Sequence, residues 1–172
     1  GFLNAGEKLA QASGDPVFEW LCGPIEPLGG GRFRVALDRV WLGGGATYLA
    51  LRHPGNSAVR GVIQPAGVDL RGSIRNSTGA SQKISFEPLA DVPAGTLSVA
   101  LSATSDSGLP VSFFVASGPA TVVDKKLVFT PVPPRAKFPI SVRVFAWQWG
   151  RRADPAMQMA PLVERSFRIL AR

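Results

Sequence analysis

A chain of 172 residues with 45% apolar side chains has the material for one large or two small packed cores, which argues against disorder. Its single cysteine excludes an internal disulfide and a cysteine-built zinc site, and His53 as the only histidine, with no Gly-x-Ser-x-Gly elbow, argues against a catalytic triad. The net charge of +7 is uneven: residues 1–124 hold nine basic and ten acidic side chains and residues 125–172 hold ten and two, so the basic end serves solubility or, alternatively, an anionic partner.

The chain opens Gly1-Phe2-Leu3-Asn4 without a basic stretch leading into an apolar one, so an export signal is expected to lie in a longer precursor. Asn4 and Glu7 suit the N-cap and N3 positions of a short helix that Gly14 would close. Alternating strand patterns follow at 16–21, 32–37, 46–53 and 58–63. Between 32 and 37, for example, Phe33, Val35 and Leu37 alternate with Arg32, Arg34 and Ala36. The separators are Gly29-Gly30-Gly31, Gly43-Gly44-Gly45 and His53-Pro54-Gly55. Neither glycine run continues into Gly-Lys-Ser/Thr or a clear helix, so both are expected as hairpin loops rather than phosphate cradles. Cys22 reads as a small buried residue, and His53 as a turn histidine bonding locally. Trp20, Trp41 and Tyr48 read as core or rim.

The polar, turn-rich run from Arg71 to Ser81 separates this unit from the next, placing the boundary between units 1–81 and 82–172. Asn76-Ser77-Thr78 within it matches a glycosylation sequon, a three-residue pattern expected by chance. Beyond it, strands are expected at 82–87, 97–103, 111–116, 119–123, 126–130, 139–148 and 163–170. Leu97, Val99 and Leu101 alternate with Ser98, Ala100 and Ser102, and Asp106 to Pro110 supplies a turn. Pro131-Val132-Pro133-Pro134-Arg135 forms a stiff connector, and 151–161 a loop before the last strand. The expected class is therefore all-β, with two β-sandwich units.

The words Leu101 to Phe113, Ser117 to Val122, Leu127 to Thr130 and Ser166-Phe167-Arg168-Ile169 resemble the immunoglobulin-like modules of bacterial secreted and surface proteins. The resemblance covers residues 82–170 and is to the disulfide-free branch. It implies a seven-strand sandwich in an extracellular or cell-surface protein. Such modules serve as spacers, domain-packing partners or occasional sugar binders beside a catalytic domain, and carry no invariant catalytic set.

Catalytic chemistry is thin here. No Gly-x-Ser-x-Gly elbow occurs, and Glu19, Glu26, Asp38, Asp69, Glu87 and Asp91 are scattered acids rather than a motif. No metal or cofactor is called for. The sharpest functional feature lies at 138–149, where period two divides the side chains into two unlike faces. Ile140, Val142, Val144 and Ala146 form a core face; Ser141, Arg143, Phe145, Trp147 and Trp149 form the other, with Arg151 and Arg152 beyond. Flat aromatic rings stack on sugar faces while arginines bond hydroxyls or uronic carboxylates. Arg143, Phe145, Trp147, Trp149, Arg151 and Arg152 are thus the candidate ligand-binding residues.

The expectation is a noncatalytic accessory module of a larger secreted bacterial protein, binding carbohydrate through this surface. The alternative is a structural spacer in which the row packs against the first unit. Polysaccharide and neighbouring domains are the expected partners, with neither nucleic acid nor membrane insertion.

Overall fold

The computed structural model describes residues 5–6, 13–43, 46–69 and 75–171. At 48% strand against 3% helix the fold is all-β, built from several sheets and sandwich-like. The helix expected between Asn4 and Gly14 lies largely outside the described residues, as do residues 71–74 at the start of the proposed boundary segment.

In the N-terminal region β1 (Val17–Cys22), β4 (Thr47–His53) and β5 (Val62–Val68) form one antiparallel sheet in the order β1-β4-β5. The strands β2 (Ile25–Gly29) and β3 (Arg32–Val35) form a separate hairpin, turned through Gly29, Gly30 and Gly31, all at positive φ. Between β3 and β4 the chain makes α1 (Arg39–Gly43). Asp38 caps it, its Oδ1 accepting from Val40 N at 2.8 Å and Trp41 N at 3.3 Å. Gly43 therefore ends a helical turn, and the second glycine run does not join two paired strands.

The strand expected at 58–63 begins at Val62 instead. Asn56 Oδ1 accepts from Ala58 N and Val59 N at 2.8 and 2.9 Å, and this local turn competes with the ladder until the loop closes. β2 escaped the alternation pattern because Pro27 and the glycines interrupt it.

The C-terminal region packs two layers around one core. One layer is the sheet β10-β13-β14-β7, made of β10 (Ser112–Ser117), β13 (Ile140–Trp147), β14 (Val163–Leu170) and β7 (Val92–Pro93). The other comprises β11 (Ala120–Val123), β12 (Lys126–Phe129) and β8 (Ser98–Ala100), with β6 (Ile84–Phe86) paired to β9 (Ala103–Ser105). Phe86, Leu127, Val142, Val144, Ala146 and Phe167 meet between the layers, each at most 4% exposed. Phe129 meets Phe167 edge-on across this core at 6.1 Å.

The strand expected at 97–103 divides, because β8 joins β12 while β9 joins β6. Leu101 is buried at the crossing, whereas Leu97, expected on the same core face, is 83% exposed. Val99, Leu101, Ala103 and Ser105 keep the inward alternation through the change of sheet, and Leu97 is exposed because it precedes β8, which begins at Ser98.

Candidate functional site

β13 does present two unlike faces. Val142, Val144 and Ala146 are fully buried in the sandwich core. On the other face Ser141 and Arg143 are exposed, Phe145 and Trp147 are each only 8% exposed, and Trp149 just beyond the strand is half-buried. The aromatic row is thus not an open platform over its length. The N-terminal region covers its middle: Ile25, Leu37 and Trp41 join Phe114, Phe145, Trp147 and Met159 in a second buried cluster.

Sequence places each of these side chains. Phe114 and Phe145 are directly opposed in the β10–β13 register, and their rings stack at 5.3 Å with 7° between planes. Trp41 projects from the capped turn α1 and meets Trp149 edge to face at 6.2 Å and 75°. Such aromatic pairs contribute about 0.5–1.5 kcal/mol beyond their buried area.

The predicted cations are dispersed. Arg143 grips Glu164 through Nε at 2.7 Å and a terminal nitrogen at 2.9 Å, and its guanidinium lies 5.7 Å over the Phe145 ring. That hydrogen bond holds the Glu164 carboxyl below the usual carboxylate range and raises the arginine further. Arg143 therefore seals the rim of the aromatic cluster. Arg151 donates twice to Pro155 O, at 3.2 and 2.9 Å, tying its own loop. Arg152 is exposed. The structure brings Phe145, Trp147 and Trp149 together with Arg143 over the Phe145 ring, while Arg151 is engaged within its own loop and Arg152 is exposed.

Beside the row lies a cleft of about 540 Å³ between the two regions. Glu26, Arg34 and Leu37 form one wall; Ser112, Trp147, Gln148 and Trp149 form the other. Glu26 and Arg34 are ion-paired across the β2–β3 hairpin. Trp147 Nε1 is buried without a hydrogen-bond partner, a debt that a buried donor ordinarily settles with protein, water or ligand.

Behind the cleft runs a polar network that sequence reasoning did not find. Gln82 accepts from Ser105 Oγ at 2.7 Å and Ser107 Oγ at 2.6 Å, and donates to Gln158 O at 2.6 Å and Gln148 Oε1 at 3.3 Å. Asn76 donates to Met157 O at 2.8 Å and is 3% exposed, so the sequon asparagine is spent inside the fold. The only sequence signal was a polar run, which is what an exposed linker also looks like.

The remaining candidates resolve simply. Cys22 is exposed, against expectation, because it lies on the edge strand β1, which is exposed along most of its length. His53 Nδ1 accepts from Gly55 N at 3.1 Å and its Nε2 lies 3.1 Å from Ser13 O. Glu19 pairs with Arg52, Glu26 with Arg34 and Asp91 with Arg168. Arg168 bonds hold the Asp91 carboxyl low, and Asp38 is committed to its cap. Among the described residues no cluster of three or more His, Cys, Asp or Glu could hold a metal ion, and no helix is long and apolar enough to cross a membrane. No protein-family model, curated protein or solved structure matches this chain.

Proposed function

We propose that this chain is a noncatalytic accessory module of a larger secreted bacterial protein, acting outside the cell or at its surface. In this reading residues 82–172 form an immunoglobulin-like sandwich, and the aromatic row of β13 serves first to lock the N-terminal region onto it. One observation carries the reading: the second buried cluster draws Ile25, Leu37 and Trp41 from one region and Phe114, Phe145 and Trp147 from the other. Burying each large side chain is worth about 1.5–3 kcal/mol, enough to set a fixed angle between the regions. A spacer needs that rigidity, since a hinge would not transmit orientation. Native-state hydrogen exchange in rising urea tests it. Amides of β4 and β13 should lose protection together; loss in β4 far ahead of β13 would refute rigid coupling.

A second reading, carbohydrate binding, is favoured by the cleft itself. Trp149 is half-buried at its wall, where the Trp147 side chain and the Glu26–Arg34 pair also stand. A pyranose ring could stack on Trp149 while its hydroxyls bond the Glu26–Arg34 pair. Titration calorimetry with neutral and uronic oligosaccharides, on the native chain and Trp149→Ala, tests this second role. Saturable heat abolished by the substitution supports it, and no heat with either class refutes it.

A further inference from the structure

We propose that the sheet β1-β4-β5 is a self-association surface, its uncharged face packing on the same face of a second copy of this chain. Directly opposed residues of antiparallel strands share a face, so the register puts Phe18 with Leu51 and Gln64, Trp20 with Leu49 and Ala66, and His53 with Val62 on one side. At one end of this face Leu49 and Val68 pack against the inter-region cluster. Beyond them it continues into solvent, with Val62 59%, Phe18 54% and Trp20 47% exposed; the opposite face also exposes Val17, Ile63 and Tyr48, so charge rather than exposure distinguishes the two. An apolar face of this extent on one small sheet is an interaction surface rather than scattered exposure.

Charge identifies the occupant. The formal charges of these three strands, Glu19 and Arg52, stand on the opposite face and pair there at 3.3 Å. Despite Gln64 and His53, the first face carries no formal charge, so an ionic partner would lose its hydration there without gaining a counter-charge. What fits is another apolar, uncharged, sheet-like surface, and this face is one. A two-fold axis makes such a face self-complementary. Residues 13–69 carry five basic and five acidic side chains, net zero, whereas residues 125–172 carry the excess of eight positive charges. Two copies can meet through the N-terminal region without the repulsion that the C-terminal region would impose.

The aromatic rings are also held before contact. Trp20 Nε1 donates to Gly23 O at 3.3 Å, and the Phe18 ring lies 3.4 Å from where a Cβ on Gly31 would stand. Side chains already fixed lose little freedom on association, which favours binding.

Sedimentation velocity of the full chain across a wide concentration range tests the proposal. A reversible dimer is expected, and Trp20→Lys or Phe18→Lys should weaken it by about tenfold or more, as loss of one central contact does. Leu97→Lys, adding the same charge on an exposed leucine of the other region, should leave it intact. If Trp20→Lys compromises folding, Val62→Lys on the same face gives the same readout. A monomer at every concentration overturns the proposal, as does a dimer broken by Leu97→Lys but not by Phe18→Lys. A monomer whose tryptophan emission shifts with a neutral glucan oligosaccharide, and loses that response in Trp20→Ala, would assign the face to sugar instead and overturn it too.

Discussion

Trp41 and Trp149 meet edge to face at 6.2 Å, one on a single helical turn of the N-terminal region and the other just past β13. Their contact closes the cluster that joins the two regions, and Trp41 is 9% exposed within it. Trp41→Ala should cost about 3–5 kcal/mol, the usual range for a buried tryptophan. Urea denaturation followed by hydrogen exchange should find protection lost first in β4 and retained in the β13 core. A midpoint unchanged from the native chain would count against the cluster as the joint.

Val144 is fully buried in the other core, between the two layers of the sandwich. Val144→Asp places an unpaired charge there and should destabilise by more than about 4 kcal/mol. Circular dichroism at ambient temperature should show an unfolded or partly folded C-terminal region. An unaltered thermal midpoint would mean that the two faces of β13 have been assigned the wrong way round.

Gly150 follows Trp149 with φ at +88°, and a Cβ there would sit 2.3 Å from Met157 O. That backbone pair is bridged by Arg151 N to Met157 O at 2.9 Å and Met157 N to Arg151 O at 2.8 Å, so it has little room to yield. Gly150→Ala should therefore incur collision on top of the roughly 1–2 kcal/mol of left-handed strain. Gly108→Ala, at φ +72° with open space around it, should incur the strain alone. Chemical denaturation of both variants should rank Gly150→Ala as clearly the worse; equal losses would contradict the close approach.

The outer face of the four-stranded sheet carries two ion pairs, Arg143–Glu164 and Arg168–Asp91. Hydrogen bonds from the arginines hold both carboxyls below their ordinary values. A depressed native value means that the stabilisation is complete above the unfolded carboxylate range near about pH 4 and is lost as pH falls through the native values. Both pairs are exposed and their contribution is small. The thermal midpoint of a Glu164→Gln, Asp91→Asn double variant should fall less steeply than that of the native chain below about pH 4. Parallel curves would show that these pairs do not drive acid sensitivity.

The strands of the C-terminal region were legible within a residue or two at 112–117, 120–123, 126–129, 140–147 and 163–170. Alternation and turn residues are local properties, and a strand bounded by Gly, Pro or Asp shows both in its own sequence. The two-residue strand β7 was not, because two residues carry no period, and β9 was not separated from β8, because a change of sheet that keeps the alternation leaves no local mark.

The site was half legible for a related reason. Period two divides β13 into two faces, and Val142 and Val144 lie on the core side while Phe145 and Trp147 lie opposite. Nothing local says what covers the second face. That was decided by where α1 and the β2–β3 hairpin came to rest, which buried Phe145 and Trp147 and left Trp149 at the edge of a cleft. The same long-range packing left Phe18 and Trp20 in solvent on strands whose alternation looks no different, because burial belongs to the partner surface and not to the strand.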